Sequence, residues 1–511
     1  MHNLLNTIWL IPLLPLLASV WIALGYIFKF NRGEEGEAQT SRTALTASGI
    51  SLLLILIQSG FAILYGAPGQ IRFSPWLVSG DYTIFISFRL DTLGLIMSML
   101  VAFISFLIIK FSVNYMHREK GFQRYFIIIT LFNSAMLILM MAGNAVMALL
   151  GWKLAGVSSY LLIAYAFERD NATANANQAF ITNRIGDAGF ILGIILSYMW
   201  LGGVEWSDIL KSDNHLSHLQ TAFIVTGFLL AGLVKSAAVP FSPWITKALE
   251  GPTPSSAIFY GSLMVHAGVY LIIRIEPLIS NDPVILPLIF IIGFITAAYG
   301  FFSGLVQTDV KSMLVFSVIS QIGIILMLCG LNWFFAATLY MVAHAIWRAY
   351  QFLLAPSHMH LMSQPTRPVT QFLQHKNGLY TASIQRFWLD HITDWVISKP
   401  TQRLARDARN FDEKVVNKIA GVPSQARSIS SLNQLETINM VGKAQGAAGS
   451  SMQWLASVFG WFEEQLVLKT GSEGLMKIIR HLGAYVSQIE TLLSQPRYLI
   501  ILVVATFVVI L

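Results

Sequence analysis

Residues 231–254 read AGLVKSAAVPFSPWITKALEGPTP. An apolar, helix-forming run carries a lysine, Lys235, and then meets Pro240 and Pro243; Pro252 and Pro254 follow before the next apolar run begins. Proline has no backbone N–H and its ring clashes with the carbonyl four residues back. Pro240 and Pro243 must therefore break the helix that holds Lys235, and Pro252 and Pro254 punctuate the start of the next. A helix broken at membrane depth is tolerated only where its freed carbonyls face protein or water. Lys235 is thus expected one turn from a hydrated site.

That this stretch lies at membrane depth follows from the rest of the chain. Of 511 residues, 55% are hydrophobic and 12% charged, with a mean hydropathy of +0.63; soluble proteins carry about a quarter charged residues. Apolar runs near the length a membrane helix needs recur near 8–30, 43–65, 92–114, 123–142, 144–167, 175–201, 219–239, 254–275, 284–304, 310–330 and 332–355. The fold class expected is an all-α, polytopic membrane protein of about 12 transmembrane helices with broken helices, plus a cytoplasmic amphipathic region. The first run is too long for a signal peptide and reads as a span. Between the second and third runs, Ile71 to Arg89 alternates (Tyr82, Ile84 and Ile86 against Thr83, Phe85 and Ser87), which predicts a short extracellular-side hairpin.

The pattern changes at Pro356. From there to about residue 496 no stretch could span a bilayer. Phe387–Val396 and Trp454–Leu468 space apolar residues helically opposite charge, as amphipathic helices on a membrane surface or a partner do. Residues 422–451, rich in Ser, Gly, Ala and Gln, read as a linker, and 498–511 as a terminal anchor. Four regions result: 1–91, N-terminal spans and hairpin; 92–355, a conducting bundle; 356–496, interfacial helices and linker; 497–511, the anchor. Arg32, Arg42, Arg118, Lys120 and Arg124 fall in loops on one side, shared with 356–496. The positive-inside rule makes that side the cytoplasm and puts the N-terminus outside.

Ionisable groups inside a bilayer cost several kcal/mol unless paired or hydrated. Five places hold them: Lys153 on the fifth span, Arg184 with Asp187 on the sixth, Lys235, His266 with Tyr260 on the eighth, and Lys311 on the tenth with His344 and Arg348 on the eleventh. Arg184 and Asp187, three residues apart, share a helix face and can pair. Each place also has a plain structural reading: a fixed pair for Arg184 and Asp187, an end-group beside Asp309 for Lys311, a satisfied core histidine for His344. As a set they point to proton movement, because lysine exchanges its proton readily when desolvated and arginine does not. No carboxylate ring suggests a metal-cation pore, and no Walker or Rossmann glycine pattern occurs. His358 and His360 lack further ligands and read as a surface pair. Cys329 is alone, so no intrachain disulfide or cysteine-ligated metal site can form.

GWKLAGVSSYLLI, NRIGDAGF, VKSAAVPFSPWITKALEGPTPSSAI, DVKSMLVFSVISQIG and MVAHAIWRAYQFL together resemble the antiporter-like membrane subunits of respiratory complex I and of multisubunit sodium/proton antiporters, from about Phe88 to Leu354. The resemblance implies that Lys235 is the central proton carrier and that Lys311, His344 and Arg348 continue the route. Three positions depart from the family: Lys153 stands where a glutamate pairs with the broken-helix lysine, Tyr260 where a histidine is usual, and the apolar pattern stops at Pro356 before a second broken helix.

Shortening plus an amphipathic tail is similar to the DabB family, the membrane subunits of two-component inorganic carbon transporters. That likeness implies a cytoplasmic carbonic-anhydrase-like partner of the DabA type docked on 356–496, with zinc on the partner and no cofactor in this chain; nucleic acid has no place in it. The location implied is a bacterial inner membrane. A proton-pumping subunit of a respiratory or hydrogenase complex is the second reading, and a non-conducting scaffold for a cytoplasmic enzyme the third. Lys153 and Lys235 are expected to repel unless one of them is neutral or a carboxylate, Asp187 or a partner's, compensates.

Overall fold

The computed structural model describes residues 7–80, 82–211, 216–280, 282–355 and 376–412, with Trp454 and Ser457. Ten of its helices are long and apolar enough to cross a membrane. They are α1 (Leu10–Ile27), α2 (Glu37–Tyr65), α3 (Thr92–Tyr115), α4 (Phe122–Met141), α5 (Ala145–Ile163), α6 (Asp170–Leu201), α7 (His218–Lys235), α8 (Thr253–Arg274), α9 (Ile285–Leu305) and α10 (Val310–Gly330). An eleventh, α11 (Phe334–Leu354), has 21 residues, about 31 Å of rise, but His344 and Arg348 lower its apolarity. This is a multi-pass membrane protein, and the eleven expected runs before Pro356 correspond to these helices one for one.

Between α2 and α3 the chain forms an antiparallel pair, β1 (Gly69–Ser79) and β2 (Tyr82–Leu90), with register shifts around Pro75. Proline cannot donate to the ladder, which is why pairing slips there. Helix starts are capped from the sequence: Asp91 accepts from Gly94 N at 2.9 Å, Asn144 from Met147 N at 2.7 Å, and Asp309 from Ser312 N at 2.8 Å. Ser217 and Gln220 form a capping box at the start of α7.

The seventh helix ends sooner than its apolar pattern. The sequence run reaches 239, but α7 stops at Lys235, and the break begins at once rather than a turn later. Pro240 would leave the Ser236 carbonyl without its i+4 donor, and a residue before proline avoids the α region. The chain instead turns through Ala237 at φ +52° and a cis Val239–Pro240 bond. It then makes a short helix, Pro243–Lys247. α8 opens behind Pro252 and Pro254, as expected, but residues Ala257–Ser262 widen into a π-helix before Met264–Arg274 resumes α geometry.

α6 and α7 pack along each other, α9 along α10, and α7 against α8. The last contact requires glycine: a Cβ on Gly268 would overlap the Gly232 carbonyl oxygen and the Ser236 hydroxyl. Residues 376–401 belong to the same compact unit as the bundle, and the second unit starts at Gln402. The expected amphipathic segment Phe387–Val396 is broken: Arg386, Phe387 and Trp388 all have positive φ, and regular helix begins at Leu389. Trp388, Ile392, Trp395 and Val396 face outward. His358, His360, the linker 422–451, residues 498–511 and all of 454–468 except Trp454 and Ser457 lie outside the described residues.

Candidate functional site

α5, α6 and the end of α7 bring four charges together. Asp187, buried on α6, forms ion pairs with Lys153 Nζ at 2.9 Å and with Arg184 Nη1 at 2.8 Å through the same oxygen. Its side chain is 3% exposed, while those of Lys153 and Arg184 are 33% and 32% exposed. Lys153 thus takes a carboxylate from the next helix, one of the two sources that could compensate its charge. Lys235, 1% exposed, donates to Trp152 O at 3.3 Å and sits 4.9 Å above the Trp152 ring. Gly156 leaves only backbone between the two cations: a Cβ there would lie 3.3 Å from Arg184 Nη2 and 3.6 Å from Lys235 Nζ. Three cations share one carboxylate among the described residues. Of these three cations only Lys235 is fully buried.

Freed backbone at the break finds protein partners. Trp244 Nε1 donates to Val234 O at 2.9 Å, Ser242 Oγ to Ala237 O at 2.7 Å, and Val239 N to Thr296 Oγ1 at 3.0 Å. Trp244 packs edge-on against Tyr260, centroids 6.0 Å apart, and Tyr260 lies within reach of Ser159 on α5. Indole and phenol thus bridge from the break to α8.

A second cluster joins α8 to α11. His266 Nε2 and His344 Nδ1 are 2.8 Å apart, and Arg348 Nε donates to His344 Nε2 at 3.2 Å. A guanidinium can only donate, so this geometry puts the His344 proton on Nδ1, donating to His266. The His266 proton then sits on Nδ1, beside the Ser262 backbone. Arg348 is held further by Gln351 at 2.6 Å and by Ser317, and the Tyr340 ring lies parallel to His344.

Lys311 stands apart. It forms no ion pair with Asp309, which caps α10; its Nζ donates to Thr253 Oγ1 at 2.7 Å, and Thr253 also meets Tyr115 OH at 2.9 Å. Nine expected residues therefore fall into two clusters, a bridging tyrosine and one lysine hydrogen-bonded to the GPTP turn.

Two polar groups escaped the sequence reading. Arg274, 3% exposed at the end of α8, pairs with Asp91 and contacts Tyr270 OH, which donates to Met140 O at 2.9 Å. Burial works to raise the Asp91 carboxyl, but Arg274 and its hydrogen bonds outweigh it and hold it below the usual range. Glu205 accepts from Ser87 at 2.8 Å, and from Asn144 and Gln70, tying the hairpin to α5; burial pushes its carboxyl up. Arg274 was legible as a charge ending an apolar run. Glu205 was not, because only folding buries that loop. Among the described residues no group of three His, Cys, Asp or Glu side chains could hold a metal ion.

Two family descriptions match this arrangement: "NADH:quinone oxidoreductase/Mrp antiporter, TM" over residues 142–383, and "NADH-Ubiquinone oxidoreductase (complex I), chain 5 N-terminus" over 76–126. This chain belongs to the complex I subunit 5/Mrp antiporter-like family. Among curated relatives of this antiporter-like chain is the chloroplastic NAD(P)H-quinone oxidoreductase subunit 5 of Piper cenocladum, 33% identical over 69% of this chain and 48% of the relative. The subunit 5 of the Paulinella chromatophora chromatophore is 33% identical over 70% and 54%. The chain spans about half the length of the curated relatives it matches. In fold it is similar to a chain of the Mrp complex from Dietzia sp. DQ12-45-1b (TM-score 0.60, 24% identity, 68% of this chain and 37% of that one). It is also similar in fold to one of an archaeal membrane-bound sulfane sulfur reductase (TM-score 0.57, 21% identity, 67% and 55%).

Proposed function

We propose that this chain translocates protons as the membrane subunit of a multisubunit complex, exchanging them between the Lys235 group and the His266–His344 pair. The supporting observation is the placement of Lys235 at a helix break, beside cations that outnumber their carboxylate, with Trp244 and Tyr260 joining the break to α8, the helix that also carries His266 of a directly hydrogen-bonded histidine pair. Neutral imidazoles in series can accept a proton at one nitrogen and release it at the other. A proton arriving near Lys153 and Asp187 weakens the carboxylate's hold on the cations and favours deprotonation of Lys235. In this reading the hairpin faces outward from a bacterial inner membrane and residues 356–496 lie in the cytoplasm. Reconstituted in liposomes with its native partners, Lys235→Ala should lose driven proton flux while the complex still assembles; retained flux overturns the proposal and leaves a scaffold.

The names of the relatives favour a redox-driven quinone oxidoreductase-type complex. The end of the apolar pattern at Pro356 and the amphipathic segments after it favour instead the DabB reading, energising a zinc carbonic-anhydrase-like DabA-type partner in inorganic carbon uptake. Purification of the native complex separates the two. Stoichiometric zinc on a large soluble subunit supports carbon uptake, and flavin or iron–sulfur subunits support the redox complex.

A further inference from the structure

The bundle holds a third polar group that neither cluster uses. Tyr299 on α9 is 4% exposed, and among the described residues its hydroxyl has no hydrogen-bond partner; neither has the buried hydroxyl of Ser303, one turn along on the same face. Against them lies the segment after the expected spans. Phe387 packs on the Tyr299 ring, centroids 6.1 Å apart, and Arg386 lies 5.4 Å over Phe316. Both Arg386 and Asp390 are within electrostatic reach of Tyr299. Asp390 uses Oδ2 for Arg386 at 3.3 Å and leaves Oδ1 buried and unpartnered. Thr393, one turn on, reaches Pro240 O at 3.5 Å, at the break itself.

Two hydroxyls on one face of α9 and a carboxylate oxygen of the segment packed against that helix are therefore buried without partners among the described residues, with Tyr299 about 9 Å inside the end of α9. Buried polar groups left unpaired are costly, and groups so placed ordinarily bind ordered water. We infer that Tyr299, Ser303 and Asp390 line a hydrated chamber, roofed by residues 386–398, that carries protons between the Val239–Pro240 break and the membrane face where α9 ends. Asp390 is its exchangeable carboxylate, and Arg386 positions it. This rests on the proton-translocating reading above and gives that reading an entrance on the side away from the hairpin.

The experiment uses the native complex. In a Cys329→Ala background, Ser303→Cys is treated with a small cationic methanethiosulfonate, and proton flux is measured for Asp390→Asn, Tyr299→Phe and Lys235→Ala. The chamber requires that Ser303→Cys be labelled and that labelling cut the flux. Asp390→Asn must lose most of the flux at unchanged assembly, and Tyr299→Phe must lose less. An unlabelled cysteine, or full flux in Asp390→Asn while Lys235→Ala is dead, overturns the chamber and spares the translocating role. Full flux in Lys235→Ala overturns that role instead, while labelling still reports whether the chamber is wet.

Discussion

Lys153 on α5 and Asp187 on α6 lie 2.9 Å apart, and Asp187 is at the same time the carboxylate of Arg184. One acid thus serves two helices' cations beside Lys235. Asp187→Asn strands three cations and is expected to cost about 3 kcal/mol, as breaking a buried pair does. Lys153→Met should cost under about 1 kcal/mol, since a third of that side chain is exposed, and the double variant should recover part of the Asp187→Asn loss. Thermal unfolding in detergent measures all three; an additive double variant refutes the shared-acid arrangement.

His266 and His344 share one hydrogen bond, 2.8 Å long. If they pass a proton as a unit, His266→Gln and His344→Gln each remove most of the driven flux, and the double variant loses no more than the worse single. Proteoliposome flux assays decide it, and losses that multiply would mean two independent roles.

Asp91 and Arg274 anchor the end of α8 and should matter to stability rather than flux. The folded Asp91 carboxyl is held below its usual 3.8, so its contribution is present above that pH and is lost as pH falls through the folded value. Asn keeps the helix cap. Asp91→Asn should therefore lower stability by about 2 kcal/mol at pH 7, with the gap to the parent closing in acid. A gap that does not narrow at all as pH falls below 3.8 would assign the loss to packing.

Lys311 holds Thr253 at 2.7 Å, at the head of α8. Thr253→Val leaves the ammonium without that acceptor while keeping side-chain volume, and Thr253→Ser keeps the bond. Flux should drop in the valine variant and return in the serine variant; equal flux in both would reduce Lys311 to an end-group.

Much of the site was legible because the bilayer makes charge conspicuous. Lys153, Arg184, Asp187, Lys235, His266, Lys311, His344 and Arg348 stand out in apolar runs, and the prolines require α7 to stop before Pro240. The residues that escaped are ordinary in sequence. Glu205 sits in a loop, Tyr299 and Ser303 in a span that tolerates hydroxyls, and Asp390 in a segment that reads as surface helix. The π-helix at Ala257–Ser262 has no signature in the sequence.

By itself the sequence determined which runs among the described residues are long and apolar enough to cross a membrane, that the seventh breaks before Pro240, and that titratable groups lie within them. Those follow from the length, hydropathy and missing N–H groups of the chain, all local quantities. Only tertiary structure decided which groups meet: Lys153 with Asp187, His266 with His344, Asp390 beside Tyr299. Helical periodicity fixes a residue's face on its own helix, but contact between helices depends on their rotation and close approach. Here small residues such as Gly232 and Gly268 set that approach through packing.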